Sequence, residues 1–171
     1  MEILKSTNKD MKDLVKFDAK SLYFGAGWFN DKQIKAYNAA LSDLMVNSSI
    51  NVHNSYVPYE NQYGDEVHSS AATADKEWCQ GTFADDVLGI KQTDIMLAVY
   101  LPSEEDVGLG MELGYAYQLG KPIVFVTPDD EFGDPVNVMS WGVADDWIKQ
   151  SELPVYNFNS IRKRFYRGLV Y

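Results

Sequence analysis

The residues best equipped for chemistry in this 171-residue chain are carboxylates. One group lies in EEDVGLGMELGYA, residues 104–116, where Asp106 and Glu112 stand six positions apart among glycines and apolar side chains. Leu109, Leu113 and Ala116 surround Glu112 in a helical pattern, and Gly108, Gly110 and Gly114 remove side-chain bulk nearby. A helix N-terminus favours an ionised carboxylate, while apolar neighbours oppose it by desolvation. An ionised but poorly hydrated carboxylate is a competent nucleophile; a solvated helix charge is the alternative. Asp106 reads as a helix cap or a ligand contact. Glu104 and Glu105 read as charges gaining from the helix dipole. The second group is Asp85–Asp86, in TFADDVLGI. Adjacent helical positions point about 100° apart, so at most one faces a shared site. Periodicity does not choose between them, and a solvated acidic face is the competing reading.

Other chemistries find less support. His53 and His68 have no second ligand at metal-binding spacing, so no metal is predicted. There is no G-x-S-x-G and no serine partner for either histidine. GAGWF, 25–29, is not G-x-G-x-x-G and lacks the basic or hydroxyl groups of a phosphate cradle. The formal charge of −10 argues against nucleic acid and against an anionic membrane surface, but leaves an uncharged nucleoside open. Cys79 is the lone cysteine, so no intrachain disulfide can form, and a reducing cytoplasm is the expected compartment. The N-terminal stretch has no signal-peptide core. The 11 Tyr, 8 Phe and 4 Trp suit a core, a subunit interface or a base-stacking pocket alike.

These residues need a frame, and the hydrophobic pattern supplies one. Residues 1–20 read as an N-terminal extension outside the core, and 21–171 as a single α/β domain. SLYFGAG, 21–27, reads as a strand entering a glycine turn. Asn30 can cap a helix with Ile34, Tyr37, Leu41, Leu44 and Met45 on one stripe, ended by Asn47–Ser49. INVHNSYVP, 50–58, reads as a second strand, 59–72 as a long loop, and about 73–91 as a helix with Phe83, Val87 and Ile90 on its apolar side. TDIMLAVY is the type of strand buried on both faces of a parallel sheet. Asp106 caps the next helix, Gly120-Lys-Pro stops it, and IVFVT, 123–127, is another strand. The segment 128–150 reads as loop-rich, and a last short strand is expected near Val155–Phe158. The alternation predicts an open parallel sheet with right-handed crossovers, in which ligands bind beyond the carboxyl ends of the strands. YFGAGWF, the 101–112 segment with Glu112, and the loop after IVFVT fall at that edge.

Taken together, YFGAGWF, NSYVPYENQY, IKQTDIMLAVY, EEDVGLGMELGYA, PVNVMSWGV and the terminal VY resemble the nucleoside 2-deoxyribosyltransferases. The co-linear motifs run from about Tyr23 to Tyr171. The resemblance implies a flavodoxin-like open parallel sheet with helices on both faces, and a homo-oligomer, commonly a hexamer made of dimers. It implies transfer of a 2-deoxyribosyl group from one nucleobase to another, with no cofactor, phosphate or metal. Glu112 would be the nucleophile, Asp86 the acid on the base side, and Tyr23 the hydroxyl bonded to the nucleophile. Asp106 would contact the sugar and Gln62 the base. Asn137 and Met139 would complete a neighbouring subunit's site, and Tyr171 would bring a C-terminal carboxylate near it. Trp28, Phe29 and Tyr56 could wall off the base, or could serve the core or an interface. The implied reaction is a retaining double displacement through a deoxyribosyl-Glu112 intermediate. The competing readings are an N-glycoside hydrolase of deoxynucleosides or their monophosphates, and a non-catalytic nucleoside-binding module. Two features depart from the family pattern: the leading extension, and Asp85 where asparagine is frequent.

Overall fold

The computed structural model describes residues 1–6, 19–64 and 75–171. Four parallel strands form its sheet, in the order β1-β2-β3-β4: β1 Leu22–Ala26, β2 Ile95–Val99, β3 Ile123–Thr127 and β4 Asp146–Lys149. Helix α1, Asp31–Val46, follows β1; α2, Lys76–Gln92, precedes β2; α3, Val107–Gln118, joins β2 to β3; and α4, Val138–Val143, lies between β3 and β4.

β1, β2 and β3 are buried at every position, as near-continuous apolar runs in a parallel sheet require. Their alternation divides the core in two. Leu22, Phe24, Leu97, Val99, Val124 and Val126 face α1, packing on Tyr37, Leu41 and Leu44. Tyr23, Met96, Ala98, Ile123 and Phe125 face the other way, onto Leu109, Leu113 and Ala116 of α3 and Ile90 of α2. Helices therefore cover both faces. The boundaries have local causes. Asn30 caps α1 by accepting from the Gln33 amide, and Asp106 caps α3 by accepting from the Leu109 amide. Gly120, at φ 68°, provides the left-handed residue after α3.

The segment read as a strand over 50–58 is not a regular one. It runs alongside β1 through two isolated parallel bridges, Lys20 with Ile50 and Tyr23 with Tyr56, interrupted by a 3₁₀ turn at Val52–Asn54. Ser55 explains the interruption. Its hydroxyl accepts from the Leu22 amide at 3.0 Å, where a ladder would place a carbonyl, and donates to the Asn51 carbonyl at 2.8 Å. The chain rejoins β1 at Tyr56, whose amide and carbonyl pair with Leu22 and Phe24. This segment occupies the outer position beside β1, as in a flavodoxin-like strand order.

The loop-rich 128–150 segment also contains α4 and β4, which its pattern does not mark. β4 begins with Asp146, which is wholly buried yet accepts hydrogen bonds from Arg164 Nε at 2.9 Å and the Tyr156 hydroxyl at 2.7 Å. The strand expected near Val155–Phe158 is not formed; a 3₁₀ helix covers Gln150–Val155. On α2, Ile90 is buried, but Phe83 is 64% exposed and faces away from the core. Of the 59–72 loop, residues 65–72 lie outside the described residues, as does His68. The first six residues do not stand apart from the core. Ile3 and Leu4 pack against it, the Leu4 amide donates to Asn38, and Ser6 bonds Glu60. Among the described residues no helix is long and apolar enough to cross a membrane.

Candidate active site

The site is built at the carboxyl end of β1, where α3 and α2 converge. Tyr23 points to the α3 side of the sheet, wholly buried, and its hydroxyl donates to Glu112 Oε1 at 2.7 Å. Close approach of α3 to β1 depends on glycine. A Cβ on Gly25 would stand 2.6 Å from Met96 Cε, 2.7 Å from Leu109 Cδ1 and 3.3 Å from Glu112 Oε2. One on Gly27 would stand 3.0 Å from Asp106 Oδ2. The sequence pattern instead credits Gly108, Gly110 and Gly114 with opening the site. Of these only Gly108 has a neighbour within 4 Å, Asp106 Oδ1, whereas Gly110 and Gly114 have none. Gly25 of β1 and Gly27 just after it, not the glycines of the helix, let the carboxylates come close to β1.

Glu112, Asp86, Asp106, Gln62, Trp28 and Phe29 line one cleft of about 290 Å³. Most of the expected site residues thus meet there, and Tyr23 joins them through its hydrogen bond to Glu112. α2 also contributes Trp78 and Thr82, which sequence reasoning misses because they lie in polar-looking early turns of the helix. The structure separates the acidic pair on α2. Asp86 lines the cleft and accepts from the Tyr56 hydroxyl at 3.2 Å, while Asp85 does not line it.

Asn137, Met139 and Tyr171 are elsewhere in the chain. Asn137 caps α4, accepting from the Met139 amide at 2.8 Å, and both residues line a groove between α3 and α4, across α3 from Glu112. Tyr171 pairs by its backbone with Val136 and Val138, and its hydroxyl donates to Glu105. None of the three lines Glu112's cleft within a single chain.

Among the described residues no lysine or arginine lines the cleft, yet three carboxyls do. Burial pushes the Glu112 carboxyl up to about 8; the Tyr23 hydrogen bond opposes the shift, and the charges of Asp86 and Asp106 add to it. Burial likewise raises Asp86 to about 6, with Tyr56 pulling down and Asp85 pushing up. The Tyr23 phenol is raised far above its ordinary value, first by burial and then by Glu112 and Asp86, so it remains a hydrogen-bond donor. The sequence pattern suggests an ionised Glu112. In the folded chain its carboxyl is instead held well above the ordinary carboxylate range, first because burial disfavours the charged form and then because the charges nearest to it share its sign. Among the described residues no group of three or more His, Cys, Asp and Glu is arranged to hold a metal ion.

The cleft is not closed on every side. Asp86, Glu112, Trp78, Thr82 and Gly108 also border a broad apolar groove between α2 and α3, about 780 Å³, with Phe83, Val87, Met111 and Tyr115 on its walls. A half-buried carboxyl held by a phenol, a second carboxyl of different proton affinity and aromatic walls, with no cationic side chain among the described lining residues, form an arrangement suited to acid–base chemistry on an uncharged ligand.

Comparison with known proteins bears on the family of the chain. Residues 22–139, more than half of the chain, match the family model described as nucleoside 2-deoxyribosyltransferase. The chain is 53% identical over 154 residues to the nucleoside deoxyribosyltransferase of Lactobacillus leichmannii, covering 89% of this chain and 98% of that one. It is also 53% identical over 149 residues to the nucleoside deoxyribosyltransferase of Lactobacillus johnsonii, covering 85% and 99%. Among solved structures, a 2-deoxyribosyltransferase from Bacillus psychrosaccharolyticus superposes with a TM-score of 0.68 at 25% identity, covering 85% of this chain and 98% of that one. The chain belongs to the nucleoside 2-deoxyribosyltransferase family.

Proposed function

We propose that this protein exchanges the nucleobase of 2'-deoxyribonucleosides by a retaining double displacement, with Glu112 as nucleophile and Asp86 as the acid on the base side. The observation that carries the reading is the Glu112 carboxyl, half-buried in the cleft, bonded to Tyr23 at 2.7 Å and accompanied by Asp86. Glu112, as carboxylate, attacks the anomeric carbon. The carbon–nitrogen bond breaks, its electrons move onto the departing base, and Asp86 supplies the proton that neutralises it. An incoming base then attacks the deoxyribosyl-Glu112 ester from the face the first one left, and Asp86 takes up its proton. Asp106 holds the sugar, Gln62 addresses the base, and Trp28 and Phe29 wall it from water. The acidic cleft favours a neutral nucleoside over a monophosphate, whose charge would meet three carboxyls. No cofactor takes part, and a cytoplasmic setting fits the lone, exposed Cys79.

The working form in this reading is a homo-oligomer, with a hexamer favoured, in which Asn137 and Met139 of one copy complete the site of the next. Two features support it. The cleft opens into an apolar groove. Met111 on its wall is 68% exposed, and Val107 and Met139 on the neighbouring α3–α4 groove are 82% and 74% exposed, an apolar surface of the kind that subunit contacts cover. Tyr171, paired beside Asn137, would travel with them to the shared site.

The test is a base-exchange assay with a deoxynucleoside donor and a panel of purine and pyrimidine acceptors. Exchange in wild type, and its loss by at least about 10³-fold in Glu112→Ala with oligomer size unchanged, is the expected result. A slowed 2-fluoro donor should leave its sugar on the peptide containing Glu112, as read by mass spectrometry. Free deoxyribose as the main product with acceptor present would assign a hydrolase instead. Unaltered exchange in Glu112→Ala would remove Glu112 from the mechanism.

A further inference from the structure

The proposed exchange asks something unusual of Asp86: it must give a proton to one base and then take one from the next. Its partners must therefore suit both the acid and the carboxylate. Around Asp86 stand Tyr56 from the segment beside β1, Tyr23 on β1, Glu112 and Asp106 on α3, and Asp85 on its own helix. The Tyr56 hydroxyl lies within reach of two acceptors, Asp86 Oδ1 at 3.2 Å and the main-chain carbonyl of Asn61 at 3.3 Å. A phenol has one proton to donate but can also accept. When Asp86 is charged, Tyr56 can donate to it. When Asp86 is protonated, it can donate to Tyr56, which then turns its own proton to Asn61.

We propose that Tyr56 is a positioning residue of the exchange reaction, its hydroxyl reversing direction between Asp86 and the Asn61 carbonyl so that Asp86 is held in one place whether it carries a proton or not. This rests on the exchange reading given above. The surrounding structure keeps the ring fixed while the hydroxyl turns. The ring stacks on that of Tyr23 with centroids 5.4 Å apart and planes 6° from parallel. Gly89 of α2 also lies against it; a Cβ there would be 2.4 Å from Tyr56 Cγ. The Tyr56 backbone is paired on both sides with β1, and the Asn61 side chain is tied to the Val57 carbonyl at 2.8 Å, which fixes the second acceptor. The two stacked phenols thus hold the two working carboxyls, Tyr23 holding Glu112 and Tyr56 holding Asp86. Tyr56, expected to be a wall for the base, does not line the cleft; it stands behind Asp86.

The test is Tyr56→Phe, which keeps the stacked ring and removes the hydroxyl. Because a hydrogen bond to a charged acceptor is stronger than one to a neutral acid, its loss raises the proton affinity of Asp86. Carbon-13 NMR of the Asp86 carboxyl should show its midpoint moving upward in the variant. In the exchange assay, kcat should fall by about 10–100-fold with KM nearly unchanged, and the limb of the pH profile belonging to Asp86 should move the same way as the midpoint. In an Asp86→Asn background, where no proton is carried, adding Tyr56→Phe should cost less than about twofold. An unmoved Asp86 midpoint, or an equal cost in the Asp86→Asn background, overturns the proposal. Thermal unfolding checks that the variant folds. Should it not, the same titration on protein carrying 3-fluorotyrosine decides, since a more acidic phenol donates more strongly and should move the midpoint down. Absence of exchange in wild type would sink the functional reading, while the NMR midpoint would still decide the role of Tyr56.

Discussion

Burial beside two other acids lifts the Glu112 carboxyl from 4.5 to about 8, and this couples its titration to folding. The unfolded chain loses that proton near the lower value and the folded chain near the upper one. Between the two pH values the folded state binds more protons, so its stability falls as pH rises through that window. Glu112→Gln removes the coupling. The variant should match or trail wild type near the lower value and exceed it increasingly toward the upper one, by on the order of a few kcal/mol; unfolding midpoints measured across that range would show the difference widening. Tyr23→Phe acts on the same carboxyl in the opposite sense. Removing a hydrogen bond to the charged form raises Glu112 further, so the acidic limb of kcat/KM should move to higher pH. Its rate should drop about 10–100-fold, the equivalent of about 1.5–3 kcal/mol for a bond to a charged group.

At the level of elements, the site depends on how closely α3 approaches β1. Gly25→Ala tests this directly. Its methyl would meet Met96 Cε and Leu109 Cδ1, both flexible ends, at 2.6 and 2.7 Å. The cost should be overpacking of about 1–3 kcal/mol rather than misfolding. Glu112 should move with α3, and exchange should fall by more than about tenfold in a protein whose unfolding midpoint drops only modestly. The elements that carry the site are those most legible in sequence. Three apolar runs could only be buried strands, and the caps Asn30 and Asp106 mark helix starts that the structure keeps. β4 is hidden because it opens with Asp146, an acid that is buried only because Arg164 and Tyr156 reach it from further along the chain. The 50–58 segment alternates well enough for a strand, but Ser55 offers its hydroxyl to β1 and breaks the ladder. Which of Asp85 and Asp86 faces the cleft, and that the Glu112 carboxyl is raised, depend on burial and on neighbours from other elements. No spacing within one helix encodes them.

Over the whole molecule, one chain gathers Glu112, Asp86, Asp106, Gln62 and Trp28 but leaves Asn137 and Met139 across α3, with Tyr171 beside them. If each copy completes its neighbour, two defective chains can repair each other. Glu112→Ala and the Asn137→Ala/Met139→Ala double variant should each be nearly inactive alone. Dissociated, mixed in equal parts and reassembled, they should recover about a quarter of wild-type exchange, the value for random pairing of intact halves across a shared interface. No recovery, with mixed oligomers verified by mass, would place the whole site within one chain. The distribution of tryptophans has a further use. Trp28 and Trp78 border the cleft, whereas Trp147 is buried against Phe125 on β4, at the far side of the sheet from β1, and Trp141 lies on α4. A free nucleobase entering should therefore quench part of the intrinsic fluorescence and spare the rest. Occupancy could be followed by light emission alone, without label or turnover, and Trp28→Phe would show how much of that signal comes from a single indole.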